Sequence, residues 1–243
     1  MTLDNWSERR LAFGPAAQAY VTGRPSYPTE AVRWALPDGA RTVLDLAAGT
    51  GKLTERLLEL GLDVRAVEPL AEMRAAIPAE AHPVDGTAEA IPLPDKSVDA
   101  VTVGQAYHWF DAPAALAEMR RVLRPNGTIG LFWNTLDDSV PWVRELADIM
   151  AAEERASYIA PDPRPVWSGV DGLTDPEREI FPHTPLYDAE RLVAFVVSRS
   201  QVILLPAGER AAMVERVKAI TPGGEFALPL VCEAWRGVRT ARP

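Results

Sequence analysis

The chain has 243 residues, 47% of them hydrophobic and 24% charged, with 25 Lys+Arg against 34 Asp+Glu for a net charge of −9. Such a chain is long enough to bury a large core, and its composition is ordinary for a globular protein. No lysine- or arginine-rich run offsets the negative charge, so the concentrated basic surface that a phosphate backbone requires is missing and nucleic-acid partners are not expected. A single cysteine, Cys232, excludes an internal disulfide, suits a reducing compartment, and reads as a buried thiol in a strand. The start MTLDNWSERR lacks an apolar core region and no stretch approaches 18 consecutive apolar residues, so a soluble, cytoplasmic protein without membrane contact is expected.

In chain order, residues 1–38 read as one or two short helices joined by Pro-containing turns, an arm ahead of the main domain. Residues 40–135 alternate strand and helix: strands near 42–46, 63–67, 81–84, 98–103 and 128–133, helices near 51–60, 70–76 and 113–123. Alternation of this kind predicts a parallel sheet with helices on both faces. A helix is expected over 140–156, prolines and turn residues fill 157–185, helical patterns return near 188–199 and 207–220, and Leu228 to Trp235 reads as a final strand.

The most informative segment is Val43 to Thr54, VLDLAAGTGKLT, a short apolar strand followed by a small-residue turn and a helix start. Gly49 and Gly51 allow a sharp turn and close approach of backbone to a ligand. Glu68 ends the next apolar run, 23 residues after Asp45, where an acid can accept hydrogen bonds from ribose hydroxyls. A P-loop is excluded because Gly51-Lys52 precedes Leu53 and no glycine stands at the required upstream position. The dinucleotide pattern G-x-G-x-x-G is absent too, which disfavours an NAD(P)-dependent oxidoreductase.

What remains, D-x-A-x-G-x-G, resembles the first motif of class I S-adenosylmethionine-dependent methyltransferases, with Ala47 where that family usually has its first glycine. Residues 86–99, GTAEAIPLPDKSVD, are similar to the family's loop after the third strand. Leu116 to Trp133 is similar to its helix, R-P-x-G turn and fifth strand. The resemblance implies a single Rossmann-like domain, α/β and doubly wound, whose seven-stranded, mostly parallel sheet has an antiparallel last strand. It would divide into a helical arm (1–38), a cofactor-binding core (40–135), helical cap elements on the acceptor side (136–226), and a closing strand and tail (227–243). Segments 20–28 and 104–111, YVTGRPSYP and GQAYHWFD, are similar to those of small-molecule methyltransferases related to trans-aconitate methyltransferase, which methylate a carboxylate oxygen.

By that resemblance, S-adenosylmethionine would contact Asp45, Ala47, Gly49, Thr50, Glu68, Pro69, Met73, Thr87, Ala88, Glu89, Gln105 and Ala106. Arg24, with its planar donor fork, would take the cofactor carboxylate or an acidic substrate. Tyr20, Tyr27, Trp109 and Arg199 are candidate substrate contacts. An ionised carboxylate acceptor needs no general base; a phenol or alcohol would, and His108 is the candidate. His82 and His183 lack ligand spacing, so no metal is expected. The partner would be a small-molecule acceptor, methylated by in-line displacement. A second reading keeps the cofactor pocket without methyl transfer, since function lies in the site rather than the fold.

Overall fold

The computed structural model describes residues 17–151 and 162–240. Residues 1–16 of the expected arm, residues 152–161, on which the end of the helix expected over 140–156 falls, and residues 241–243 lie outside them. The described helices are α1 (Ala17–Gly23), α2 (Thr29–Ala35), α3 (Lys52–Glu59), α4 (Ala71–Arg74), α5 (Ala112–Val122), α6 (Pro141–Ala151), α7 (Arg164–Trp167), α8 (Ala189–Val197), α9 (Ser200–Ile203) and α10 (Ala207–Ile220). The strands are β1 (Thr42–Leu46), β2 (Asp63–Val67), β3 (Val98–Gly104), β4 (Leu123–Leu136), β5 (Glu177–His183), β6 (Leu186–Tyr187), β7 (Phe226–Ala227) and β8 (Leu230–Val238). Two compact units result: described residues 26–134, 162–181 and 232–240 form one, and 17–25, 135–151 and 182–231 the other.

The first unit is built on a six-stranded sheet of order β2-β1-β3-β4-β8-β5. β1 pairs in parallel with β2 and β3, and β3 in parallel with β4. β8 runs against β4: Arg239 N–H donates to Gly127 O at 2.7 Å, while near the other end Asp137 N–H reaches Pro229 O at 3.1 Å. The α/β, mostly parallel sheet with an antiparallel last strand is thus as expected. Its core gathers Val43, Val64, Ala66, Ala100 and Phe132 from the strands with Ala31 and Val32 of α2 and Leu53 and Leu57 of α3.

Two expectations need correction. The third strand, expected at 81–84, is reduced to one parallel bridge between Val67 and Val84, so among the described residues the sheet has six strands rather than the expected seven. Ala79–Ala81 form a 3-10 turn, His82 takes a left-handed φ of 47°, and Pro83 has no N–H to give a ladder. Conversely, β5 lies in a stretch read only as turns. Its sequence, EREIFPH, carries no apolar alternation because its side chains are mostly exposed at the sheet edge. The Arg124–Gly127 turn sits inside β4 as a bulge: Val98 pairs with Leu123 and Ala100 with Thr128, and Asn126 takes a φ of 65°.

The second unit has its own core, in which Leu146, Ile149 and Met150 of α6 meet Leu192, Phe195 and Val196 of α8 and Met213 and Val217 of α10. Helix α8 is capped by Asp188, whose side chain accepts the Arg191 N–H at 2.8 Å, and buries residues at i, i+3 and i+4. A two-stranded sheet of β6 and β7 completes it.

Candidate functional site

The turn after β1 is backbone chemistry first. Ala47, Gly49 and Gly51 all take left-handed φ values of 54°, 59° and 90°. The position where relatives of this motif carry glycine is therefore one an alanine occupies only under strain, of the order of 1 kcal/mol. Non-glycine residues held this way cluster at functional sites, and Gln105, at the end of β3, is another with φ 58°.

Side chains then lock the turn. Glu68, buried at the end of β2, accepts the Gly49 N–H with Oε2 and the Leu70 N–H with Oε1, both at 2.9 Å. One carboxylate thus ties the glycine turn to the start of α4. Asp45 is wholly buried; its Oδ2 accepts the Thr54 hydroxyl at 2.5 Å, and its Oδ1 has no hydrogen-bond partner. Thr50, also buried, has a hydroxyl in the same condition. Interiors rarely leave such groups unpaired, so the turn presents two polar atoms that a bound ligand would satisfy.

Burial pushes the Asp45 carboxyl up to about 7; the Thr54 hydrogen bond opposes this and the Glu68 charge adds to it. A folded-state value above the unfolded one means that the fold holds the extra proton between about pH 4 and 7, so stability falls with rising pH across that window and levels off above it. Asp45→Asn is expected to flatten this dependence, worth of the order of 4 kcal/mol at most. Melting curves of both proteins from pH 4 to 8 check it, and an unchanged slope in the variant would remove Asp45 as its source.

The loop 86–97 is held by two residues that the sequence motifs did not single out. Glu118 of α5 accepts the Ile91 N–H at 2.9 Å, and Arg121 donates to Ile91 O, Leu93 O and Asp95 Oδ1 at 2.8–2.9 Å. Their helical spacing of three carried a signal only of an ordinary surface ion pair. Within the loop, Ala88 is buried, Thr87 half-buried, and Glu89 accepts the Asp111 N–H at 3.0 Å. Met73 of α4 is buried and Pro69 half-buried beside Glu68.

At the end of β3, Gln105 donates its backbone N–H to Phe132 O and its side-chain Nε2 to Asn134 O, both at 2.8 Å, which joins the ends of β3 and β4. Ala106 accepts the Trp109 N–H at 2.8 Å, closing a 3-10 turn. His108 is half-buried with its ring 4.8 Å from that of Trp109. Burial pulls its imidazole down to about 4. It is neutral at pH 7 and a weak base there, since general bases work best near the operating pH.

Tyr27 is 5% exposed and belongs to the core, edge-on to Phe132 at 5.8 Å. Arg24, Tyr20 and Arg199 lie in the second unit. There Arg24 donates to Ser198 Oγ at 3.0 Å and Ser198 O at 3.2 Å and stacks over Tyr20 at 4.8 Å. Arg199 sits 5.9 Å from the Phe195 ring. The structure therefore gathers Asp45, Ala47, Gly49, Thr50 and Glu68 with Thr54 at one turn of the first unit, whereas the Arg24 fork is held by Ser198 within the second. Among the described residues no His, Cys, Asp and Glu cluster could hold a metal, and no helix is long and apolar enough to cross a membrane.

A mostly parallel sheet with a left-handed glycine turn after β1 and a buried acid after β2 is the arrangement of those α/β folds that bind nucleotide-type cofactors. Comparison with known proteins names the branch. Residues 44–131 match the family described as Methyltransferase domain. An uncharacterised methyltransferase of Mycobacterium tuberculosis (strain H37Rv) is 46% identical over 235 residues, 91% of this chain and 93% of that protein. An uncharacterised methyltransferase of Schizosaccharomyces pombe is 34% identical over 210 residues, 80% of each chain. A solved structure from Anaeromyxobacter dehalogenans, assigned to the methyltransferases, has a TM-score of 0.62 at 21% identity and covers 89% of this chain and 97% of that one. The phosphoethanolamine N-methyltransferase 2 of Haemonchus contortus, solved with S-adenosylhomocysteine, has a TM-score of 0.55 at 13% identity over 93% of this chain and 57% of that one. These two likenesses bear on the fold. The chain belongs to the class I S-adenosylmethionine-dependent methyltransferase family.

Proposed function

We propose that the protein binds S-adenosylmethionine at the β1 turn and transfers its methyl group, by in-line displacement, to a carboxylate oxygen of a small molecule. The observation that carries the cofactor assignment is the pair of buried, unpartnered acceptor and hydroxyl atoms, Asp45 Oδ1 and Thr50 Oγ1, on a turn whose backbone Glu68 fixes. When bound, the cofactor supplies an electrophilic methyl carbon on a positively charged sulfur. Asp45 suits its ammonium group, and because ionised Asp45 is the better partner, affinity is expected to rise as pH passes through about 7. Glu68 suits the ribose hydroxyls, and Ala88 supplies a small residue beside the adenine. Apart from binding, the chain's main work is to position the partners and exclude water.

The carboxylate reading draws on the likeness of segments 20–28 and 104–111 to the trans-aconitate methyltransferase group, and on the weak basicity of His108. An ionised acceptor needs no proton removed. His108→Ala is therefore expected to retain its rate within about threefold from pH 6 to 9, a small effect beside the 10²–10⁴-fold that a working general base contributes. A hundredfold loss with a changed pH profile would reinstate the base.

Glu68→Ala should weaken S-adenosylmethionine binding by about 1.5–3 kcal/mol, the range for hydrogen bonds to a charged group. Unchanged affinity would detach Glu68 from the cofactor. The reading as a whole is tested by calorimetric titration of ligand-stripped protein with S-adenosylmethionine, S-adenosylhomocysteine and NADH. Micromolar binding of the first two and none of the third is expected; silence from both sulfur compounds would end the assignment.

A further inference from the structure

We propose that Tyr107 and Trp133 form the recognition site for the acceptor's carboxylate, with the Tyr107 hydroxyl and the Trp133 indole N–H as its two donors. This rests on the methyl-transfer reading above and adds residues that carry its specificity. Tyr107 is 5% exposed and Trp133 1% exposed, yet Tyr107 Oη and Trp133 Nε1 are both buried without a hydrogen-bond partner. Interiors pair nearly all such groups, and an unpaired one is unfavourable, so two of them call for an explanation. The side chains that carry them adjoin: the rings meet edge to face, with centroids 6.4 Å apart and an interplanar angle of 89°.

Their position is the ligand side of the sheet. Tyr107 opens the 3-10 turn Tyr107–Trp109 just beyond β3, and Trp133 follows Phe132, the partner of Gly104 in the parallel β3–β4 pair. Both therefore lie at the carboxyl ends of adjacent parallel strands, where open α/β sheets bind their ligands. The donor chemistry selects the ligand class. An indole N–H can only donate, so its partner must offer a lone pair, which a carboxylate has and a protonated amine lacks. Burial pushes the Tyr107 phenol up to about 12, so it also stays a donor at any working pH. Phe110 packs edge-on to Tyr107 at 6.0 Å, and the low local dielectric strengthens the bonds the pair would make.

The test uses the full chain saturated with S-adenosylhomocysteine and the assigned indole N–H resonance of Trp133. Glutarate is titrated against 1,5-diaminopentane, which has the same number of carbons but two cationic ends. The resonance is expected to move with glutarate and not with the diamine, and Tyr107→Phe should need about tenfold more glutarate. Because that variant removes an unpaired hydroxyl, it should melt at or above the wild-type temperature. A resonance that ignores glutarate or follows the diamine overturns the proposal. So does a Tyr107→Phe protein melting several degrees lower, which would give the hydroxyl an internal partner such as a buried water. Failure of S-adenosylhomocysteine itself to bind would refute the methyl-transfer reading, whereas its binding with a silent Trp133 refutes the pair alone.

Discussion

Gly49→Val is expected to abolish S-adenosylmethionine binding, with affinity falling at least a hundredfold. The residue has a φ of 59°, a conformation that a β-branched side chain adopts only as a genuine outlier. Its N–H is also the group that Glu68 holds at 2.9 Å, so a turn forced to another φ would lose that bond and leave a buried carboxylate short of a donor. Ala47, at φ 54°, shows that the turn tolerates one methyl group at such a position; the branched chain is the larger demand. Calorimetric titration of the variant gives the answer, with circular dichroism to establish that it has folded. A folded Gly49→Val protein with wild-type affinity would mean that the turn does not meet the cofactor.

The second large effect lies in the other unit and concerns stability. In Gly23→Ala, the new Cβ would stand 2.2 Å from Phe195 N and 2.3 Å from Ala194 C, both backbone atoms of helix α8. No rotamer change relieves a clash with backbone, so α1 and α8 must move apart. That movement strains the 2.6 Å hydrogen bond from Tyr187 Oη to Gly23 O and the Arg24–Ser198 contacts. Overpacking usually costs 1–3 kcal/mol and occasionally more; a backbone contact this close belongs at roughly 3–5 kcal/mol. For a chain of this size that lowers the melting temperature by roughly 10 °C. A variant melting within about 2 °C of wild type would show that the two helices are not so closely packed in solution.

The elements that the sequence foretold are those whose apolar pattern had a clear period. β1, β2 and β3 were legible from short buried runs, and α10 matched residues 207–220 at both ends. β5 was not, because an edge strand with exposed Glu177, Arg178 and Glu179 has no buried face to print on its sequence. Residues 81–84 have the composition of a strand without forming one: Ala81 is buried and Val84 makes a bridge, but Pro83 between them cannot extend the ladder.

The same division runs through the candidate site. Residue types and spacing alone determined the glycine turn, the acid 23 residues on and the absence of P-loop and dinucleotide patterns, because those features reside in one or two contiguous stretches. Only the tertiary structure decided that Glu68 clasps Gly49, that Glu118 and Arg121 hold the 86–97 loop, and that Arg24 is engaged by Ser198, 174 residues away. It alone paired Tyr107 with Trp133 and left their donors without partners. The physical reason is that a motif records what a backbone turn requires locally. Burial, and the partner that each buried polar atom finds or lacks, depends on chain segments brought together by packing.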